Sequence, residues 1–119
     1  MVNKAEKLAQ LAKAAKLLSD MELRKFAAFR QNMQVLAQQG GQIQGQLDRV
    51  SGRAVHSLAD LREVMGATQR LTLAQIQTQA EIARLTPRFE AMRSQSARAF
   101  GRAEVLRQMA EAERGQRKG

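Results

Sequence analysis

The chain has no cysteine, no tryptophan and no tyrosine, and its aromatic content is four phenylalanines. Without cysteine there is no disulfide, no thiol nucleophile and no thiolate metal site. Without large aromatics, a thick globular core is hard to fill. The one histidine, His56, has no second histidine or cysteine with which to build a metal or nucleophile site, so the sequence reads as non-enzymatic. No apolar run approaches the roughly 18–20 residues of a membrane span. Met1 to Lys7 leads into a lysine-dotted amphipathic segment that lacks the unbroken apolar stretch of a secretory signal. Lack of cysteine fits a cytoplasmic location.

What the chain does contain is Ala, Leu, Met and Gln, the residues of long, narrow helices. At 119 residues it is enough for one domain. Twenty bases against eleven acids give a net charge of +9. Residues 1–25 carry six bases and three acids, residues 26–66 four and three, and residues 67–119 ten and five. Such a charge steers acidic partners toward the chain, and charge alone does not choose among nucleic acid, an anionic membrane and an acidic protein.

Hydrophobic spacing sets the fold. Asn3, with Glu6 three residues on, forms a helix-capping pair. Phe26, Phe29, Met33, Leu36, Gly40, Ile43, Leu47, Val50 and Ala54, and then Leu61, follow the 3,4 spacing of a heptad seam. The phase persists across Gly40 and Gly41, so a single helix weakened at Gly40, Gly41 and Gly45 is expected. Each interior glycine costs about 1 kcal/mol relative to alanine. A second seam runs through Leu71, Gln75, Thr78, Ile82, Leu85, Phe89, Met92, Ser96, Ala99, Ala103 and Leu106.

Between the seams, Gly66 reads as the residue that closes one helix and Thr68 as the cap that opens the next. The expected fold is all-α, a long antiparallel two-helix coiled-coil hairpin turning near Gly66. Helix one spans about 3–65, helix two about 68–113, and 114–119 is a frayed tail. Folding at Gly66 sets Phe26 against Leu106, Phe29 against Ala103, Gly40 against Met92, and Pro87 at the level of Gly45; it also brings Asp48 within reach of Arg84. The heptads alone leave the register open, because the seams stay in phase if the fold point moves by half a heptad. Three helices with a turn at Gly40-Gly41 are the structural alternative. In the chosen register the stripe Leu8, Leu11, Ala15 and Leu18 has no internal partner. Pro87, which removes a helical hydrogen bond, reads as a local kink or as a flexible joint.

The candidate binding residues lie on the surface. Arg84, Arg88, Arg98 and Arg102 each immediately precede a seam position and line one flank of helix two, while Arg93 and Arg107 line the other. Guanidinium groups suit carboxylates and phosphates. Ordinary charged flanks that keep the helices soluble are the alternative reading. Lys4 and Lys7, with Lys13 and Lys16, surround the Leu8, Leu11 stripe. Such a basic amphipathic helix lies on a membrane surface, docks into a protein groove, or meets a second copy of itself.

Several of these features together resemble the small coiled-coil stalk proteins of type III secretion, the FliJ/YscO-like family. They are the length, the lack of Cys and Trp, the opening Lys4-Ala5-Glu6-Lys7-Leu8-Ala9-Gln10-Leu11, the Gln-rich heptad hairpin and the Arg-rich second helix. The resemblance implies a cytoplasmic, non-enzymatic export component, peripheral at the inner membrane and without cofactors. It would insert its hairpin into a hexameric export ATPase, contact the export gate and help cycle substrate chaperones. Two other functions fit the residues: a basic nucleic-acid-binding helical protein, which lacks Tyr and Trp for stacking, and a self-associating coiled-coil adaptor.

Overall fold

The computed structural model describes the backbone of residues 3–118 and the side chains as far as Gln116. Two helices, α1 (Lys4–Ser51, 48 residues) and α2 (Leu58–Lys118, 61 residues), are joined by a turn over residues 52–57 as an antiparallel helical hairpin. The start of α1 carries the expected cap, with the Glu6 N–H donating to Asn3 Oδ1 at 2.8 Å. The helix runs unbroken through Gly40, Gly41 and Gly45, so the three-helix alternative does not occur.

The turn is not near Gly66. Ser51 Oγ donates to the Leu47 carbonyl at 2.7 Å, and Gly52 N to the Asp48 carbonyl at 3.2 Å. Arg53 N donates to the Val50 carbonyl at 3.2 Å. Carbonyls that α1 would otherwise leave without partners at its end are thus satisfied. Ser57 then caps α2. Its Oγ accepts from Asp60 N at 3.1 Å, while Asp60 Oδ2 accepts from His56 N at 3.1 Å. Gly66 lies inside α2, and the Thr68 hydroxyl donates back to the Val64 carbonyl at 2.8 Å instead of capping a helix. Helix one therefore ends at Ser51 rather than near 65, and helix two starts ten residues earlier than 68. The tail expected to fray from 114 is helical to Lys118, and Gly119 lies outside the described residues.

The seams from Phe26 to Val50 and from Leu71 to Leu106 are as expected, but Ala54 falls in the turn and Leu61 is an exposed residue of α2, and the register differs. On α1 the less exposed positions are Ala5, Leu8, Ala12, Ala15, Ser19, Glu22, Phe26 and Phe29, continuing at the same spacing to Val50. Phe29 faces Phe89 instead of Ala103, and Gly40 faces Thr78 instead of Met92. Each contact falls 14 residues, two heptads, earlier on α2, a shift that keeps every seam residue on its seam. It places α2 residues beside the N-terminal part of α1, so Leu8 and Ala15 are half-buried there, and only Leu11 and Leu18 of that stripe are exposed. Gly45, on the turn side of Gly40, is no longer level with Pro87. Asp48 accepts from Gln44 Nε2 at 3.0 Å, and Arg84 bonds Glu81, so the Asp48–Arg84 pair does not form.

The chain divides into two compact units. The first joins the chain up to Phe29 with the chain from Arg88 on; the second is Arg30–Pro87. The first is packed with small residues: Ser19, Ser96, Ala103 and Ala110 are its buried positions. It also holds the aromatic cluster, with Phe89 at 5.2 Å from Phe26 and 6.3 Å from Phe29 between ring centroids. In the second, Gly40 is buried at a seam position, and its carbonyl accepts from Gln75 Nε2 at 3.2 Å.

Candidate functional site

The first unit sorts its charges by side. A residue that immediately precedes a seam position lies on one flank of its helix, and a residue that immediately follows lies on the other. Antiparallel pairing brings like flanks together. Two surface grooves between the helices reflect this. One, of about 390 Å³, has the seam residues Ala15, Glu22 and Ala99 on its floor and Leu18, Gln95, Arg98 and Arg102, all preceding residues, on its walls. The other, of about 490 Å³, presents the following residues Lys13, Lys16, Leu23, Phe100, Glu104 and Arg107.

Acids are confined to the second side and the seam. Glu6, Asp20, Glu90, Glu104 and Glu111 all follow seam residues, and Glu22 and Glu113 sit on the seam. The preceding side has no acid among the described residues. It carries Lys4, Lys7, Lys25, Arg88, Arg98 and Arg102, interleaved with Leu11, Leu18, Met21, Val105 and Met109, and all of these are exposed.

The arginines on the two sides also differ in their partners. Arg93 pairs with Glu90 at 3.2 Å, and Arg107 bridges Glu104 at 3.1 Å and Glu111 at 2.8 Å. Hydrogen bonds that Arg107 donates to Glu104 raise its pKa above the ordinary value. On the acid-free side, Arg98 donates to Ser94 Oγ at 3.0 Å, and Arg88 lies 5.8 Å from the centre of the Phe29 ring. Neither these two nor Arg102 has a carboxylate partner among the described residues.

Six of the eight residues singled out from sequence therefore share one face of this unit: Lys4, Lys7, Leu11, Arg88, Arg98 and Arg102. The other two do not join them. Leu8 is a half-buried seam residue, and Arg84 belongs to the second unit, where it is paired with Glu81. Sequence reasoning passed over Met21, Val105 and Met109, whose spacing carried the same information as that of the arginines.

No known protein family, characterised protein or solved structure matches this chain. Among the described residues no helix is long and apolar enough to cross a membrane.

Proposed function

We propose that this chain is a non-enzymatic coiled-coil component that acts by docking to other proteins, and that it serves as the stalk of a flagellar or type III protein export apparatus. In this reading it binds a hexameric export ATPase and the export gate, from the cytoplasm and at the periphery of the inner membrane. The observation that carries the docking role is the face that combines six cations, of which Lys25 is bridged to the seam acid Glu22 at 3.8 Å, with five exposed apolar side chains and no acid of its own among the described residues. A surface maintained only for solubility would mix both signs, as the opposite side of the same unit does. Guanidinium groups such as those of Arg88, Arg98 and Arg102, which have no carboxylate partner among the described residues, suit carboxylates of another protein. The export assignment is supported by the resemblance in the opening Lys4–Leu11 helix, the Gln-rich heptads and the Arg-rich α2.

The test is direct binding of the purified chain to a purified export ATPase ring, followed by sedimentation. Co-sedimentation at micromolar concentration and physiological salt is expected. Absence of binding at that concentration, with the ring intact, would sink the export assignment.

A further inference from the structure

The groove between Leu18 and Arg102 has two alanines, Ala15 and Ala99, and the seam acid Glu22 on its floor, and Glu22 is bridged to Lys25 at 3.8 Å. Small floor residues leave room for a large apolar side chain from outside, as a knob enters a hole. Leu18 supplies an apolar wall, Arg98 and Arg102 stand at the rim, and Val105 lines a neighbouring hollow that shares both arginines. The same flank continues along α1 from Lys4 to Lys25, a rise of about 30 Å at 1.5 Å per residue. Its shape and chemistry are those of a helix-receiving groove.

We infer that this groove receives an acidic amphipathic helix from a partner protein, completing a local three-helix bundle. The inference rests on the docking role proposed above and names the chemistry of one occupant. Charge complementarity selects it. A second copy of this chain would bring cation face to cation face, which is repulsive. A flat bilayer does not fill a concave groove, and this side lacks the aromatic residues that anchor helices at a lipid surface. Phosphate contacts alone give no role to Leu11, Leu18, Met21, Val105 and Met109. A helix with leucines at 3,4 spacing and glutamates on both flanks matches the apolar wall and the cationic rim together.

The experiment uses the full chain and a labelled synthetic peptide of about three heptads, with leucine on its seam and glutamate on its flanks. A twin peptide carries lysine in place of glutamate. At physiological salt, fluorescence anisotropy should show saturable binding of the glutamate peptide and none of the lysine twin, and circular dichroism should show the bound peptide gaining helix. Arg98→Glu with Arg102→Glu should weaken binding at least about tenfold. Lys13→Glu with Lys16→Glu changes the net charge equally on the other side and should leave affinity within about twofold. Leu18→Gln, which leaves every charge in place, should also weaken binding, because Leu18 forms an apolar wall of the groove. Each variant is checked for unchanged helicity.

Equal binding of both peptides, equal loss with both double variants, or no binding of the glutamate peptide would each overturn the inference. So would binding of anionic phospholipid vesicles or duplex DNA in place of the peptide, with the same sensitivity to Arg98 and Arg102. If the peptide fails while the ATPase ring still binds, this inference falls and the export reading stands.

Discussion

Gly40 and Gly41 are adjacent in one helix and differ in what surrounds them. A Cβ on Gly40 would come 3.2 Å from Gln79 Nε2, whereas one on Gly41 would meet nothing within 4 Å. Gly41→Ala should therefore stabilise the chain by about 0.5–1 kcal/mol, and Gly40→Ala by less, because the Gln79 side chain must move. Urea denaturation followed by helicity checks the ordering, and an equal gain at both sites would contradict the packing described. Phe89 is the opposite case, a large side chain joined to two others. Phe89→Ala should cost about 3 kcal/mol, the lower end for a phenylalanine since the residue is half-buried. Glu81 shows how little the paired surface charges matter. The hydrogen bond from Arg84 lowers its pKa, so any stabilisation is present above the ordinary carboxylate range and is lost as the pH falls through the depressed value. The pair is fully exposed, so Glu81→Gln should unfold almost as the parent does at neutral pH and identically in acid.

Whole elements rest on a few capping contacts. Ser57→Ala removes the acceptor for Asp60 N and should destabilise the start of α2 by about 1 kcal/mol, read from the urea midpoint. Thr68→Ala, at the site once expected to be the cap, should do so by much less. Hydrophobic spacing made both helices legible. Every residue from Phe26 to Val50 and from Leu71 to Leu106 that the 3,4 pattern places on a seam is buried or half-buried, whereas Ala54 and Leu61, which the same pattern adds to the first seam, are exposed. The turn does not fall at Gly66, an obvious break signal, because a competing signal precedes it. Ser57-Leu58-Ala59-Asp60 is a serine cap with an acid three residues on, and it follows Gly52. A strictly periodic seam cannot reveal an error of two heptads, since every residue returns to an equivalent position. The site suffered less. Preceding or following a seam residue is a property of one helix, so the cationic flank survives any whole-heptad shift. What sequence did not disclose was which arginines find carboxylates and which do not.

At the scale of the whole molecule, a net charge of +9 is unevenly used. One side of the unit built from both chain ends pairs Arg93 and Arg107 with its own glutamates, and the other leaves Arg88, Arg98 and Arg102 without carboxylates among the described residues. Self-association through this face is disfavoured by like charge, so light scattering should give a monomer at physiological salt. A stable dimer, lost on Leu11→Gln with Leu18→Gln, would reverse that view. The central claim is that this acid-free face is where the chain docks to protein. Its most direct test is a pull-down with the full tagged chain from its own cell extract at physiological salt, beside Arg98→Glu with Arg102→Glu. Recovery of an export ATPase or export-gate protein by the parent, and its loss with the variant, is the result predicted here. Equal recovery by both, or recovery only of nucleic acid that salt removes, would contradict it.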